Sequence, residues 1–474
     1  MESFSGRAIE YLSASRLDIV GKIPLAQAIV GSREDFWARE LFHECLLSMS
    51  PTGNFSEDGT KFTLFDYEAH FRELIESMMR NGYDSSISRV DIASDGTVWN
   101  GAHRIAAAHV MDLSVDSVFT GETPQVYDWH YFVRSGMPRI YLDSLAGIFT
   151  KHVQKTRGFV LSGLTGEETK MAKRSLAKMA PLVFEKTIHL TEIGIRRNLE
   201  LMYGHLDWYE PALLEQLVRE RFSSSDYAAS TLLLYELPSS MSPRDIKENL
   251  RRDLGKHHFI RQIHGTDDWE ETKSLAEVWT NSNSLKFLNE TPIGSETRLL
   301  DRLSILDSEN AAQKDHYVID AGASLELHGV RVTDDIDHIC LGDEHSQLEL
   351  LGDCHREDYL QLGTSLTNVV YSPREHLIWA GRKFTTLDVE FRRLRNSQSS
   401  KHKQDFETFL DSPRVRKQSP VYQDSERASR ARAWRIKSVF QVRIDRFLAA
   451  LPPSVRSRVA RMGNFIRALK NQSD

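Results

Sequence analysis

The stretch from Tyr317 to Ile339, YVIDAGASLELHGVRVTDDIDHI, sets the tightest limits on what this chain can fold into. It opens with a short apolar run, breaks at Gly322 and resumes with Ser324 and Leu325. After a polar turn around Arg331 and Thr333 comes Asp335-Ile336-Asp337. Alternation of this kind marks a strand, on which residues two apart share a face. Asp335 and Asp337 are therefore expected to point the same way. Two such carboxylates repel each other unless a cation sits between them, and the hard ion suited to carboxylate, water and phosphate oxygens is Mg2+. Upstream, Gly322-Ala323-Ser324 lets a backbone pass close to a phosphate and offers it N–H groups and a hydroxyl.

The pattern of two small residues and a serine, an apolar spacer and then Arg-x-Thr-x-Asp-Ile-Asp resembles the core of the polymerase-beta-type nucleotidyltransferases, especially the minimal AbiEii-like and LicD-like ones. The resemblance implies that Gly322 and Ser324 hold a nucleoside triphosphate and that Asp335 and Asp337 are catalytic Mg2+ ligands. Ala323 stands where a second glycine is usual. The third carboxylate is not fixed, with Glu390 and Glu349 both candidates. Downstream, YSPREHLIWAGRKFTTLDVEFRRL reads as strand, glycine turn, strand and helix. Lys401, Lys403 and Asp405 then open another helix, similar to the one that closes minimal nucleotidyltransferases. Lys383, Lys401 and Lys403 are candidate phosphate contacts. Solvated surface lysines are the other reading of these three, and a surface hairpin with an acidic edge is the other reading of the stretch that carries Asp335 and Asp337.

Earlier in the chain, YEAHFRELIESMMRNGY reads as a helix stopped at Asn81-Gly82. Val90 and Ile92 alternate as a strand, Ser94-Asp95-Gly96 is a hairpin signal, and Thr97 to Trp99 return. Asn100-Gly101-Ala102-His103-Arg104 then opens an alanine-rich helix, which concentrates N–H donors and positive charge. This order resembles the ParB/sulfiredoxin fold over roughly residues 62–130. The resemblance implies that Gly101, His103 and Arg104 face a phosphate. Ala102 occupies the place of the sulfiredoxin cysteine, which excludes that chemistry. Free-serine kinases of this fold carry a His-His-Arg turn close to this one.

From Gly158 onward strands and helices alternate, which implies an α/β sandwich. The order ends in Ile263-His264-Gly265-Thr266-Asp267 and resembles nucleoside diphosphate kinase over about residues 158–280. The resemblance implies His264 as a phosphate-accepting nucleophile with Thr266 as its neighbouring hydroxyl. The family's first-strand lysine is absent, and its nucleotide-clamping loop has no room before His264. Glu270, Glu271 and Glu277 are neighbours of the helix position where an acidic partner is expected. A histidine used structurally at a strand end is the other reading.

With 474 residues the chain is long enough for several domains. It reads as a multidomain α/β and α+β protein: a helical or extended segment (1–61), a ParB/sulfiredoxin-like domain (62–150), a ferredoxin-like α/β sandwich (156–285), a minimal nucleotidyltransferase domain (300–411) and a basic helical tail (412–474). Residues 131–155 look like a connection packed through Trp129 and Tyr131, and residues 281–316 like a polar connector with one helix. The net charge of −7 does not advertise nucleic-acid binding. The cysteines Cys45, Cys340 and Cys354 form no CxxC pair, which argues against a disulfide framework or a cysteine zinc site and fits a reducing compartment. No secretory signal or spanning segment is visible, so a cytoplasmic location is expected. The tail alternates arginines with Trp434, Ile436, Phe440 and Phe447, and suits an anionic membrane surface, nucleic acid or packing on the protein itself.

The function expected is a Mg2+-dependent nucleotidyl- or phosphotransferase with a small-molecule acceptor. A sugar or sugar-phosphate acceptor follows only from the LicD-like resemblance. The alternatives are a nucleotide-gated, nucleic-acid-binding ParB-like protein and a catalytically degenerate scaffold.

Overall fold

The computed structural model describes residues 3–50, 61–86, 89–204, 211–221, 228–254, 262–291, 297–310, 315–341, 354–355, 359, 365–396, 403 and 406–407. The expectations for Glu349, Lys401, Asp405 and the basic tail lie outside these residues. The architecture is mixed α/β, with helices around three four-stranded sheets among the described residues.

The first sheet contains β1 (Ser3–Arg7), β2 (Val90–Ile92), β3 (Val98–Asn100) and β4 (Ser114–Phe119), in the order β1-β4-β2-β3. β1 runs antiparallel to β4, and β2 runs parallel to it. The segment 1–61 is therefore not separate from the unit that follows. Its strand supplies one edge of this sheet, and the helices Leu17–Val20 and Ile23–Val30 pack on the helix Ala102–Val110. SFSGR gives no apolar alternation because β1 is largely exposed. In the helix Phe36–Met49, Leu41, Cys45 and Leu46 are buried as their spacing implies, but Trp37 turns inward and Phe36 stays 38% exposed.

Local chemistry fixes the helix ends. Thr63 and Asp66 form a capping box at the start of the helix Leu64–Asn81, and Gly82 closes it at φ +74°. Beneath the first sheet lies a buried charge cluster. Arg16 Nε is 2.8 Å from Asp18 Oδ1, and Lys22 Nζ is 3.3 Å from Asp18 Oδ2. Burial opposes the Asp18 charge, but Arg16 and Lys22 overcome it and hold the carboxyl well below its ordinary value. Arg16 also donates to the Val98 carbonyl, which ties the N-terminal helices to the hairpin.

The connection after β4 is helical, with Trp129–Arg134 and Arg139–His152. Trp129 is buried and meets Phe184 edge-on at 5.0 Å. The second sheet contains β5 (Thr156–Ser162), β6 (Leu182–Leu190), β7 (Ala228–Glu236) and β8 (Ile263–Gly265), in the order β6-β7-β5-β8 with every pair antiparallel. The helix Trp269–Trp279 follows β8, and the 281–316 connector then holds two helices instead of the single one expected, Ser282–Glu290 and Thr297–Asn310.

The third sheet contains β9 (Tyr317–Ile319), β10 (His338–Cys340), β11 (His376–Trp379) and β12 (Arg382–Thr385), in the order β10-β9-β12-β11. β9 is antiparallel to β10 and parallel to β12. One apolar cluster runs through all three units, from Phe42 and Phe71 through Trp279 to Phe384. Polar ties join them as well: the Ala14 N–H donates to Glu236 Oε2 at 2.6 Å, and Arg374 reaches Glu40 at 2.6 Å while lying over Trp37. Among the described residues no helix is long and apolar enough to cross a membrane.

Buried His376 and half-buried His152 are expected to make the fold acid-sensitive. Burial, helped by Lys383, lowers His376 to about 3, and burial, helped by His109, lowers His152 to about 3. Both stay neutral in the folded chain, whereas in the unfolded chain they bind protons near pH 6.5. Their contribution to stability is therefore complete above pH 6.5 and is lost as pH falls toward 3. Melting temperature is expected to drop through this window. His376→Asn should make the drop shallower, by on the order of 1 kcal/mol per pH unit in chemical denaturation.

Candidate functional site in the C-terminal unit

Leaving β9 at Ile319, the chain turns sharply, and Ala321 adopts φ +51°, a left-handed conformation costly for a residue with a Cβ. A buried carboxylate holds it there. Glu390 Oε1 accepts from the Ala321 N–H at 3.1 Å, from the Tyr359 hydroxyl at 3.0 Å and from the Thr385 hydroxyl at 2.5 Å. Glu390 Oε2 accepts from Arg393 Nε at 2.9 Å. Burial would raise the Glu390 pKa, but the Arg393 charge and the Thr385, Arg393 and Tyr359 donors bring it below the ordinary carboxylate value. Of the two candidates for a third carboxylate, Glu390 thus lies in this unit, but as a packed hub and not as an open ligand.

The residues after the turn form a helix, Ala321–Leu327, where an interrupted strand was expected. Every residue of it is buried. Ser324 is fully enclosed, and its hydroxyl donates to the Ile319 carbonyl at 3.0 Å and lies 2.9 Å from Thr385 Oγ1. A Cβ on Gly322 would lie 2.5 Å from Thr333 Oγ1 and 2.9 Å from an Arg331 nitrogen. Glycine is needed there because another chain segment packs against it. The expected triphosphate contacts Gly322 and Ser324 therefore have packing roles here.

Asp335 and Asp337 do not lie on a strand. They precede β10 in an extended run whose polar backbone is held by side chains. The Thr333 N–H donates to the buried Glu326 Oε2 at 2.8 Å, and Arg302 donates to the carbonyls of Thr333 and Asp334, both at 2.6 Å. Arg298 pairs with Asp334 at 2.6 Å. Alternation nonetheless survives: Asp335 is exposed, Ile336 is buried and Asp337 is half-buried.

Asp337 joins a second, unforeseen acidic residue. Asp320 is fully buried; its N–H donates to the Asp337 carbonyl at 3.0 Å, and its Oδ2 lies 3.3 Å from His355 Nδ1. His355 Nε2 in turn lies 3.9 Å from Asp337 Oδ2. Asp320 Oδ1 has no hydrogen-bond partner among the described residues. Burial, reinforced by Glu390, raises the Asp320 pKa, whereas the Asp320 hydrogen bond lifts His355 to about 9. At neutral pH His355 is thus an imidazolium between two carboxyl groups. In the sequence, Asp320 could have been singled out as an acid inside an apolar run; His355 carries no local signal.

Lys383 donates to the carbonyls of Asp315 and Val370 at 2.8 and 3.0 Å, which commits it to packing, and Lys403 is exposed.

The other two clusters remain on their own sheets. Gly101 starts its helix at φ +107° as the turn requires. The His103 ring meets the stacked Phe42 and Phe71 rings edge-on, and burial with Lys22 and Lys61 nearby keeps it neutral. Arg104 donates to the Arg89 carbonyl at 2.9 Å. In the middle unit His264 is 7% exposed, 3.0 Å from Glu271 and edge-on to Tyr203 at 5.0 Å. Thr266 is fully enclosed and accepts from the Gly158 N–H at 2.9 Å. Both residues are oriented inward, where an incoming phosphate cannot meet them without rearrangement. A hollow lined by Asn283, Lys286, Glu290, His328 and Asp388 contains none of the expected site residues.

No protein-family model, curated protein or solved structure matches the chain.

The Glu390 hub sets two expectations for stability. Glu390→Gln leaves the Arg393 guanidinium buried without its counter-charge and should cost about 3–5 kcal/mol. Gly322→Ala forces apart the contact with Thr333 and should cost about 1–3 kcal/mol. Urea unfolding of the two variants beside the parent checks both.

Proposed function

We propose that the C-terminal unit is a Mg2+-dependent nucleotidyl- or phosphotransferase that uses a nucleoside triphosphate and a small-molecule acceptor. The observation that carries this reading is the pair Asp335 and Asp337, which reach water on either side of buried Ile336, the second of them held through its backbone carbonyl by buried Asp320 with its unpartnered Oδ1. The donor set suits a hard divalent ion because it is all-oxygen, anionic and partly hydrated. Asp335 and Asp337 would hold the ion, which when bound supplies charge neutralisation and in-line orientation of phosphates.

The chain's own residues do the rest. Asp320 fixes the Asp337 backbone, and His355 offsets part of the carboxylate charge before any cation arrives. Arg298 and Arg302 anchor Thr333 and Asp334 and place two guanidinium groups beside the same segment. Exposed Arg298, rather than Gly322 and Ser324, is the phosphate-directing group of this proposal. The antiparallel order β6-β7-β5-β8 supports a ferredoxin-like reading of the middle unit, and the Gly101 turn supports a ParB/sulfiredoxin-like reading of the first. Neither carries the chemistry proposed here.

The test uses ATP and CTP labelled at the α- or γ-phosphate, with Mg2+. Asp335→Asn and Asp337→Asn should each lower label transfer by about 100-fold or more, whereas His264→Ala should leave it intact. Unchanged turnover in both aspartate variants removes the proposal. Label on the protein that disappears only in His264→Ala transfers the chemistry to the middle unit.

A further inference from the structure

β10 itself carries a different kind of donor. His338 and Cys340 are two residues apart on this strand and share one face, and both are fully buried. Cys354 is fourteen positions beyond Cys340 in sequence, yet it lies beside His338 in a parallel bridge. The next residue fixes that placement, since the His355 N–H donates to the His338 carbonyl at 3.1 Å. One ligand atom from each of His338, Cys340 and Cys354 lies within 4.8 Å of the others. The two sulfurs are 3.5 Å apart.

We propose that His338, Cys340 and Cys354 form a binding site for one Zn2+. The sulfur separation is the decisive number. Two thiolates each about 2.3 Å from one tetrahedral ion stand about 3.8 Å apart, close to what is found, whereas a disulfide requires about 2.05 Å. The donor set also selects the metal. Two sulfurs and an imidazole suit a borderline-soft ion and do not suit Mg2+, which takes oxygen. Two cysteines are too few for the usual iron–sulfur ligation. Three protein ligands leave the fourth tetrahedral position to water.

A metal here would clamp residues 354–355 onto β10 and so hold the segment that delivers His355 to Asp320 and Asp337. The absence of a CxxC pair does not exclude a cysteine zinc site when a strand and a returning segment bring the ligands together. The site uses neither Asp335 nor Asp337, so it stands independently of the transferase reading.

The full chain is purified under reducing conditions, and its metal content is measured by elemental analysis. After chelation it is reloaded with Zn2+ alone or with Co2+ alone as a spectroscopic probe. One Zn2+ per chain is expected. The Co2+ form should show thiolate charge-transfer absorption and intense tetrahedral d–d bands. Cys354→Ser, at a half-exposed position, should weaken Zn2+ affinity by about 100-fold or more and remove part of the charge-transfer absorption. Cys340→Ser should do the same, and the Cys354 variant keeps the test decisive where the buried change impairs folding. The Asp335→Asn/Asp337→Asn double variant should bind Zn2+ as the parent does. The proposal is overturned if the reduced chain takes up no Zn2+, if Cys354→Ser retains parental affinity and spectrum, if the aspartate double variant abolishes binding, or if peptide mapping shows Cys340 and Cys354 joined in a disulfide. Absence of nucleotidyl transfer in the parent chain with Zn2+ binding intact would count against the transferase reading alone.

Discussion

The C-terminal unit depends on a single enclosed carboxylate. Glu390 receives donors from a helix residue, a strand hydroxyl, a tyrosine and a strained backbone N–H, and these come from four separate parts of the chain. An isolated carboxylate in such surroundings would be neutral, because desolvation outweighs any single hydrogen bond. Arg393 reverses that balance, and the resulting charge makes each donor bond stronger than its neutral equivalent. The strain at Ala321 persists because the surroundings over-determine it. That strain turns the chain at Asp320, and the turn places Asp320 under Asp337.

β10 and the residues leading into it then separate two kinds of chemistry over a few positions. Before the strand and after β9 lie oxygen donors: half-open Asp337, open Asp335 and closed Asp320. On the strand itself are His338 and Cys340, both enclosed. A hard ion and a soft ion discriminate between such sets by ligand type, with little need for fine geometry. Residues 354 and 355 link the two sets, since Cys354 lies with one and His355 with the other.

Where order along the chain decides structure, the sequence was readable. Asn81-Gly82 ends its helix, Gly101 opens one, and β11, the Ala380-Gly381 turn and β12 follow their alternation. The reading failed where a backbone segment takes its partners from distant side chains. The run from Thr333 to Asp337 looks like a strand, but Glu326, Arg298 and Arg302 take up its polar groups, so it needs no neighbouring strand. β1 was missed for the complementary reason: it pairs with β4 across more than a hundred residues and is too exposed to show a pattern. Gly322 packs against Thr333 and Ser324 against Ile319 and Thr385; small residues serve close packing as well as phosphate approach, and the Cβ clash at Thr333 tells these apart at Gly322.

Exposure, more than residue type, ranks the three phosphate-site candidates. A nucleophilic histidine must present a nitrogen to an incoming phosphorus, yet His264 turns toward Glu271 and Tyr203 inside the middle unit. A phosphate-facing histidine gains by carrying charge, yet aromatic rings and nearby lysines keep His103 neutral. Both imidazoles behave as core residues with a polar edge. Asp335 differs because its carboxylate already meets water, so binding a cation there costs little desolvation. Asp337 is half-enclosed and pre-oriented through its own backbone, and a ligand held in place beforehand binds without losing further freedom. An exposed acid two residues from a half-enclosed one is what the proposed ion site rests on, and among the three clusters only the C-terminal one offers that combination.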